Sequence, residues 1–465
     1  MARRDTDDFW IPKIAQGARP MYLAVADALS ADILSGELAP GTRLPPQRTL
    51  AEALEIDFTT VTRAYAEARR RGLVEGRVGQ GTYVRPVARP LVLATPGGMI
   101  DMSMNMPPRF EDEQLRARMW REIAALEHTG GLELLLRYQE PGGTRVDRNA
   151  GASWLSGRLG TVPLERLLIC PGAQGALLAL LGALAEPGDC VCAEALTYPG
   201  LLSALAHLRL RPVGVPMDGQ GLLPAAFGEI CREHRPKVLY CNPTLHNPTT
   251  ATMPLERRKT LIEIARAHGV AVIEDDAYGA LPRTPIPPLA SLGPDVVYHV
   301  AGLAKCLAPA LRIAYLVLPE GRPVSRIAGA LRATAAMASP LTAAIATRWI
   351  ESGTATAVLE AIRTEAAARR MIAQAVLPAE FAHIGTDGFH LWLELPAGWS
   401  RAEFVARLRT VGIGAVGSDA FAISAPPEAV RLGLGIPASG QELSAALARV
   451  AALLTESPAM SNMVV

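Results

Sequence analysis

From Met21 the apolar residues Tyr22, Val25, Ala26, Leu29 and Ile33 recur at helical spacing, and Gly36 with Pro40-Gly41 closes that segment near Ser35. Pro45-Pro46 precedes a second, short helical pattern through Leu50, Ala51 and Leu54. Asp57 is the expected N-cap of a third helix that carries Val61, Ala64, Tyr65 and Ala68. After Gly72, two β-leaning pieces, Leu73-Val74 and Thr82-Tyr83-Val84, flank the glycine-rich turn Gly76 to Gly81 and predict a hairpin. Helix, helix-turn-helix and hairpin in succession is the layout of a winged helix-turn-helix, whose recognition helix lies in the major groove of double-stranded DNA. The stretch RPVARPLVLATPGG, residues 85 to 98, mixes proline and glycine with no amphipathic period and reads as a linker. From about Ile100 the period changes. Short β-branched runs, Val238 to Tyr240, Val270 to Ile273 and Val296 to Val300, alternate with Ala/Leu/Arg-rich helical stretches. That alternation is the pattern of an α/β domain with a mostly parallel central sheet covered by helices. The expected division is a DNA-binding domain over residues 15–84, a linker over 85–99 and a larger domain over 100–465.

A chain of 465 residues with 49% hydrophobic and 20% charged content has ample material for two folded units, which excludes a disordered or rod-like protein. Lys+Arg 46 against Asp+Glu 45 leaves a net charge of +1, so a nucleic-acid partner must be met by a local patch. Residues 41 to 90 supply one, with nine arginines against five acidic residues. Arg69, Arg70 and Arg71 have a second reading, as cations that complement a helix C-terminus. No apolar run reaches the length of a membrane span and no signal-peptide pattern opens the chain, so a cytoplasmic protein without a membrane partner is expected. The six cysteines form no CxxC pair and sit among apolar neighbours; they read as small core residues, and no metal is expected.

Lysine is scarce, occurring at 13, 237, 259 and 305, which makes the apolar setting of Lys305 in Ala301-Gly-Leu-Ala-Lys-Cys-Leu-Ala-Pro309 conspicuous. Desolvation there lowers an ammonium pKa and favours the free amine that condenses with an aldehyde. About thirty residues earlier, Glu274-Asp-Asp-Ala-Tyr278 places carboxylates at a strand end, where open α/β sheets bind ligands. Pro171 to Leu177 follows the strand Leu167 to Cys170 and opens an apolar helix, so its N–H groups can hold a phosphate. Lysine, carboxylate, phosphate turn and Arg312, in that arrangement, point to pyridoxal 5'-phosphate chemistry. His246 and His390 have no evident chemical task and read as structural.

Residues about 20 to 85 resemble a GntR-type winged helix through Pro20-Met-Tyr22, Pro40 to Pro46, Leu50-Ala51, Thr60-Val61, Gly72-Leu-Val74 and Gly79 to Val84. Residues about 100 to 455 resemble a fold type I aminotransferase through Leu136 to Gly143, Pro171 to Leu177, Thr197 to Gly200, His246 to Thr249, Glu274 to Tyr278, Lys305 to Arg312, Gly388 to Trp392 and Val430 to Leu432. The combination is similar to the MocR-type regulators. The resemblance implies Arg43, Arg48, Thr59, Thr60, Arg63 and Gly79 as DNA contacts. It implies Lys305 as the lysine bonded to pyridoxal 5'-phosphate, Asp275 on the pyridine nitrogen, Asn247 and Tyr278 on the ring hydroxyl, and Tyr198 on the ring face. Ala173, Gln174 and Arg312 would hold the phosphate, Tyr138 would reach it from a partner subunit in a head-to-tail homodimer, and Arg431 would grip an effector carboxylate. The function so implied is regulation of transcription by sensing an amino acid or amine through external aldimine formation; an active aminotransferase with a DNA-binding domain, or a sensor of the cofactor itself, are the alternatives. The sequence departs from the family's pattern in four places. Asp57-Phe58 stands where Ser-Arg is usual, Gly302 and Ala304 replace hydroxyl residues near the lysine, and Thr250 replaces a glycine.

Overall fold

The apolar spacing at the start of the chain closes a small helical core. Helix α1 (Met21–Ser35), α2 (Gln47–Ala53) and α3 (Phe58–Arg70) bury Leu29, Leu50, Val61 and Tyr65 against one another, and each such side chain contributes roughly 1.5–3 kcal/mol. The Tyr65 hydroxyl, which would be costly to bury alone, donates to the Pro45 carbonyl at 2.9 Å. Asp57 caps α3, its side chain accepting from the Thr59 N–H at 2.7 Å. The predicted hairpin is present as β1 (Val74–Arg77) and β2 (Gly81–Val84), antiparallel with Val74 opposite Val84 and Arg77 opposite Gly81. The computed structural model describes residues 10–12, 14, 20–35, 37–39, 41–77, 81–85, 98–129 and 131–456. Gly79 and most of the expected linker lie outside the described residues. The chain divides into two units, Met1–Ala94 and Thr95–Val465.

The second unit is built on a seven-stranded sheet. In chain order its strands are β3 (Leu167–Cys170), β4 (Cys190–Glu194), β5 (Arg211–Val215), β6 (Val238–Cys241), β7 (Ala271–Asp275), β8 (Val297–Gly302) and β9 (Ala314–Val317), arranged β3-β9-β8-β7-β6-β4-β5. Strand β9 runs antiparallel to both its neighbours, and the other pairs are parallel. Both faces are covered, which is why these strands read as continuous apolar runs. Leu168, Cys170, Val191 and Ala193 face helices α4 (Gly172–Leu184) and α5 (Pro199–His207), while Leu167, Ile169, Tyr315 and Val317 turn the opposite way. A smaller antiparallel sheet near the C-terminus, β10 (Ala382–Ile384), β11 (His390–Glu394), β12 (Val416–Gly417) and β13 (Ala429–Gly433), is ordered β10-β11-β13-β12 and carries Arg431. All six cysteines are buried packing residues. Among the described residues no helix is long and apolar enough to cross a membrane.

Candidate functional site

A cavity of about 650 Å3 opens at the C-terminal ends of the parallel strands, and it gathers Ala173, Gln174, Tyr198, Asn247, Asp275, Tyr278, Lys305, Arg312 and Arg431. Tyr138 is not among its lining residues; it is 89% exposed. Of the three consecutive carboxylates after Ile273, period-two alternation sends only Asp275 into the cavity. Glu274 turns under the sheet, where its two oxygens accept from the Leu289 and Ala290 N–H groups at 2.7 and 3.0 Å and one also meets His299 Nδ1 at 2.8 Å. Asp276 is paired with Arg158.

Lys305 lies just beyond β8, and its Nζ donates to the Asn105 carbonyl. Burial lowers its pKa to about 8; the positive Arg431 and Arg312 press the same way and Asp275 opposes them. Burial raises the Asp275 carboxyl above its ordinary range, while the Tyr240 hydroxyl, donating to Oδ2 at 2.7 Å, favours the charged form. Oδ1 of Asp275 is buried with no hydrogen-bond partner among the described residues. Asn242 ties the floor together, since its Nδ2 donates to the Asp275 carbonyl at 2.7 Å and its Oδ1 accepts from the Asn247 N–H at 2.9 Å. Asn247 in turn offers Oδ1 to Arg431 Nη1 at 2.9 Å, and Arg431 Nη2 donates to the Ser103 carbonyl. The Arg431 guanidinium also lies 5.0 Å from the Phe421 ring centroid, an apolar support for a buried cation. Tyr278 accepts at its hydroxyl from Asn105 Nδ2 at 2.8 Å. His246 and His390 are buried, and that burial pushes their pKa values down to about 4 and about 3, so both are neutral near pH 7.

These groups fit pyridoxal 5'-phosphate. A phosphate would be cradled at the start of α4, whose N-cap Pro171 gives no side-chain cap to the first N–H groups. Gly172 has φ +75°, and a Cβ there would lie 3.3 Å from the Arg312 guanidinium carbon, so the bare backbone is what lets the cation settle over the helix start. Gly200 does the same for Tyr198, whose ring would sit 2.3 Å from an added Cβ. The unpartnered Asp275 Oδ1 is an acceptor suited to a protonated ring nitrogen. At Gly302 an added Cβ would meet only the Ala173 Cβ, at 3.5 Å, so the cavity wall has room where the family carries a hydroxyl.

Several residues of this site were not singled out from the sequence. Tyr240 lies in the expected strand Val238 to Tyr240 and reads there as core. Asn105 and Ser103 follow the linker with no period to mark them, and Asn242 carries one weak signal, its place five residues before Asn247. Glu194, at the end of β4 and 1% exposed, accepts the Asn242 N–H at 2.8 Å through Oε1, and burial holds its carboxyl up at about 8.

In the first unit Arg43, Arg48 and Arg63 are exposed. Arg43 bridges to Tyr83 of the hairpin, Arg48 lies on α2 with its guanidinium carbon 5.8 Å from the Phe58 ring centroid, and Arg63 stacks over Tyr22 at 4.3 Å. Thr59 and Thr60 occupy the first turn of α3, and the Thr59 hydroxyl is bonded to the Asp57 cap. Arg70 and Arg71 are engaged with Glu67 of α3, and Arg71 also with Asp27 of α1, so both are taken up by ion pairs within the winged-helix unit.

The profile of the bacterial regulatory proteins of the gntR family matches residues 21–84, and that of aminotransferase class I and II matches residues 98–448. The uncharacterized HTH-type transcriptional regulator YdeF of Bacillus subtilis (strain 168) is 31% identical over 456 residues, covering 96% of this chain and 97% of its own length. The probable rhizopine catabolism regulatory protein MocR of Rhizobium meliloti is 28% identical over 64% of this chain and 66% of its own. LysN, the alpha-aminoadipate aminotransferase of Thermus thermophilus, superposes with a TM-score of 0.69 at 24% identity, over 77% of this chain and 92% of that one, which shows a shared fold. A gntR-type head joined to a fold type I domain, with an HTH-type regulator matched along nearly its whole length, places this chain in the MocR-type family of transcriptional regulators, a GntR helix-turn-helix fused to an aminotransferase-like domain.

Proposed function

We propose that the aminotransferase-like domain holds pyridoxal 5'-phosphate and senses an amino acid or amine, and that occupancy of the cavity sets how the chain grips its DNA operator. The observation that carries this reading is the meeting of Lys305, Asp275, Arg312 and Arg431 in one cavity. When bound, the cofactor supplies an aldehyde that condenses with amines and a ring that withdraws electrons. Arg312 and the N–H groups of Ala173 and Gln174 hold its phosphate, Asp275 its ring nitrogen, Asn247 and Tyr278 its hydroxyl, and Tyr198 its face. With Nζ near pKa 8, on the order of a tenth of Lys305 is the neutral, nucleophilic amine at pH 7. Each Nη of Arg431 keeps a second N–H beyond those given to Asn247 and Ser103, and the pair forms a fork for an effector carboxylate. Leu135, Leu136 and Tyr138, exposed side by side, are covered by a second copy in a head-to-tail homodimer, where Tyr138 reaches the other copy's phosphate.

The test is the visible absorbance of the purified chain with Lys305→Ala as reference, followed by titration of amino acids and amines while affinity for the chain's own promoter DNA is measured. A band absent from Lys305→Ala, shifted by one ligand together with a change in DNA affinity, is expected. Arg431→Met abolishes that response for a ligand bearing a carboxylate. No visible band in the wild type overturns the reading. A DNA response to the cofactor that survives Arg431→Met favours a sensor of the cofactor itself, and steady transfer of the amino group to a keto acid makes the domain an active aminotransferase.

A further inference from the structure

The first residue of α3 is a phenylalanine that the winged-helix core does not use. Val61, Ala64, Tyr65 and Ala68 are the buried residues of this helix, whereas Phe58 remains 43% exposed. Phe58 belongs to the exposed strip that continues through Thr59, Thr62, Arg63 and Ala66. Its place is set rather than frayed, because Asp57 caps the helix immediately before it and the Thr62 hydroxyl, one turn later, binds both the Phe58 carbonyl at 3.0 Å and Gln47 Oε1 of α2 at 2.9 Å. Arg48, also on α2, lies 5.8 Å from the ring centroid and gives it a cationic neighbour. The N-terminal residues of a recognition helix are those that meet base edges in the major groove. A phenyl ring there can neither donate to nor accept from N7, O6, O4 or an exocyclic amine. The one base feature it discriminates is the C5-methyl group of thymine, the apolar projection of that groove.

We infer that Phe58 is a specificity-determining residue that packs on a thymine C5-methyl group in each half-site of the operator. The inference rests on DNA binding through α3. Arg48, held beside the ring, is then placed to meet the flanking phosphate, so one residue of the pair reads and the other positions. Because Phe58 carries no charge, its loss changes base preference and leaves the salt dependence of binding as it was.

The experiment is selection of duplexes from a randomised pool by the full chain, run in parallel with wild type, Phe58→Ala and Phe58→Leu at one salt concentration. Wild type enriches a thymine at one position per half-site; Phe58→Ala loses that preference while keeping the others, and Phe58→Leu, still apolar, keeps part of it. Replacing that thymine by deoxyuridine, which removes only the methyl group, weakens wild-type binding roughly threefold to tenfold, the worth of one buried methyl, and leaves Phe58→Ala unchanged. An unaltered slope of affinity against salt in Phe58→Ala shows that the phosphate contacts survive. The inference is overturned if Phe58→Ala enriches the same thymine, or if deoxyuridine is neutral for wild type at every thymine. A pool from which wild type enriches no sequence overturns recognition by α3 itself, and the inference with it.

Discussion

Glu194 offers a test of the cavity floor that needs no ligand. Its side chain is 1% exposed, Oε1 accepts the Asn242 N–H at 2.8 Å and Oε2 has no partner among the described residues. Burial raises the carboxyl from its ordinary 4.5 to about 8, the negative Asp275 adds to the rise, and the Asn242 N–H opposes it. The sign follows from linkage. Below about pH 4.5 both folded and unfolded chains hold the proton; above it the unfolded chain releases the proton while the folded chain keeps it, so stability is lost as pH rises toward 8. Each pH unit in that window costs about 1.4 kcal/mol, so between about pH 5.5 and about pH 7.5 the carboxyl removes roughly 2 to 3 kcal/mol. Glu194→Gln has the same shape, keeps an oxygen for the Asn242 N–H and cannot ionise. Urea unfolding of the cofactor-free chain, followed by tryptophan fluorescence, should show the variant gaining on wild type by roughly that amount across the window. A stability difference constant to within about 0.5 kcal/mol from pH 5.5 to 7.5 would refute the reasoning, because a carboxyl that is already ionised, or free to reach water, contributes no such slope.

Asp57→Ala leaves the Thr59 N–H without its cap and should lower the stability of the winged-helix unit by about 1 kcal/mol, read from its thermal transition, while Asp57→Asn costs much less. At the phosphate cradle, Gly172→Ala forces a side chain into a left-handed backbone and against Arg312, and cofactor titration should show affinity reduced about tenfold. Gly302→Ser runs the other way: its Cβ makes only ordinary contact with Ala173, and the added hydroxyl should tighten the cofactor by about one hydrogen bond, roughly fivefold.

Much of the architecture is written locally. The spacing of Val25, Leu29 and Ile33, the cap at Asp57 and the β-branched runs at 238, 270 and 296 place their elements within a residue or two of where the structure has them, because helix and strand periods and caps are properties of neighbouring residues. The order of lysine, carboxylate, phosphate turn and arginine likewise survives into the cavity. Which of Glu274, Asp275 and Asp276 faces that cavity is not written locally. Alternation says that neighbours part ways, but in a parallel sheet covered on both faces the polarity of the run does not mark the open side. Asn105 meets Lys305 across two hundred positions of sequence, and Arg431 on the smaller sheet reaches Asn247 in the loop after β6, so no window of the chain contains either pair. The sequence by itself determined the elements, their order and the kinds of side chain brought to the strand ends. The apolar setting of Lys305 already gave the direction of its titration; only the tertiary structure brought Arg431 and Asp275 beside it and buried Glu194, since those are sums over residues that the fold, and not the chain, makes neighbours.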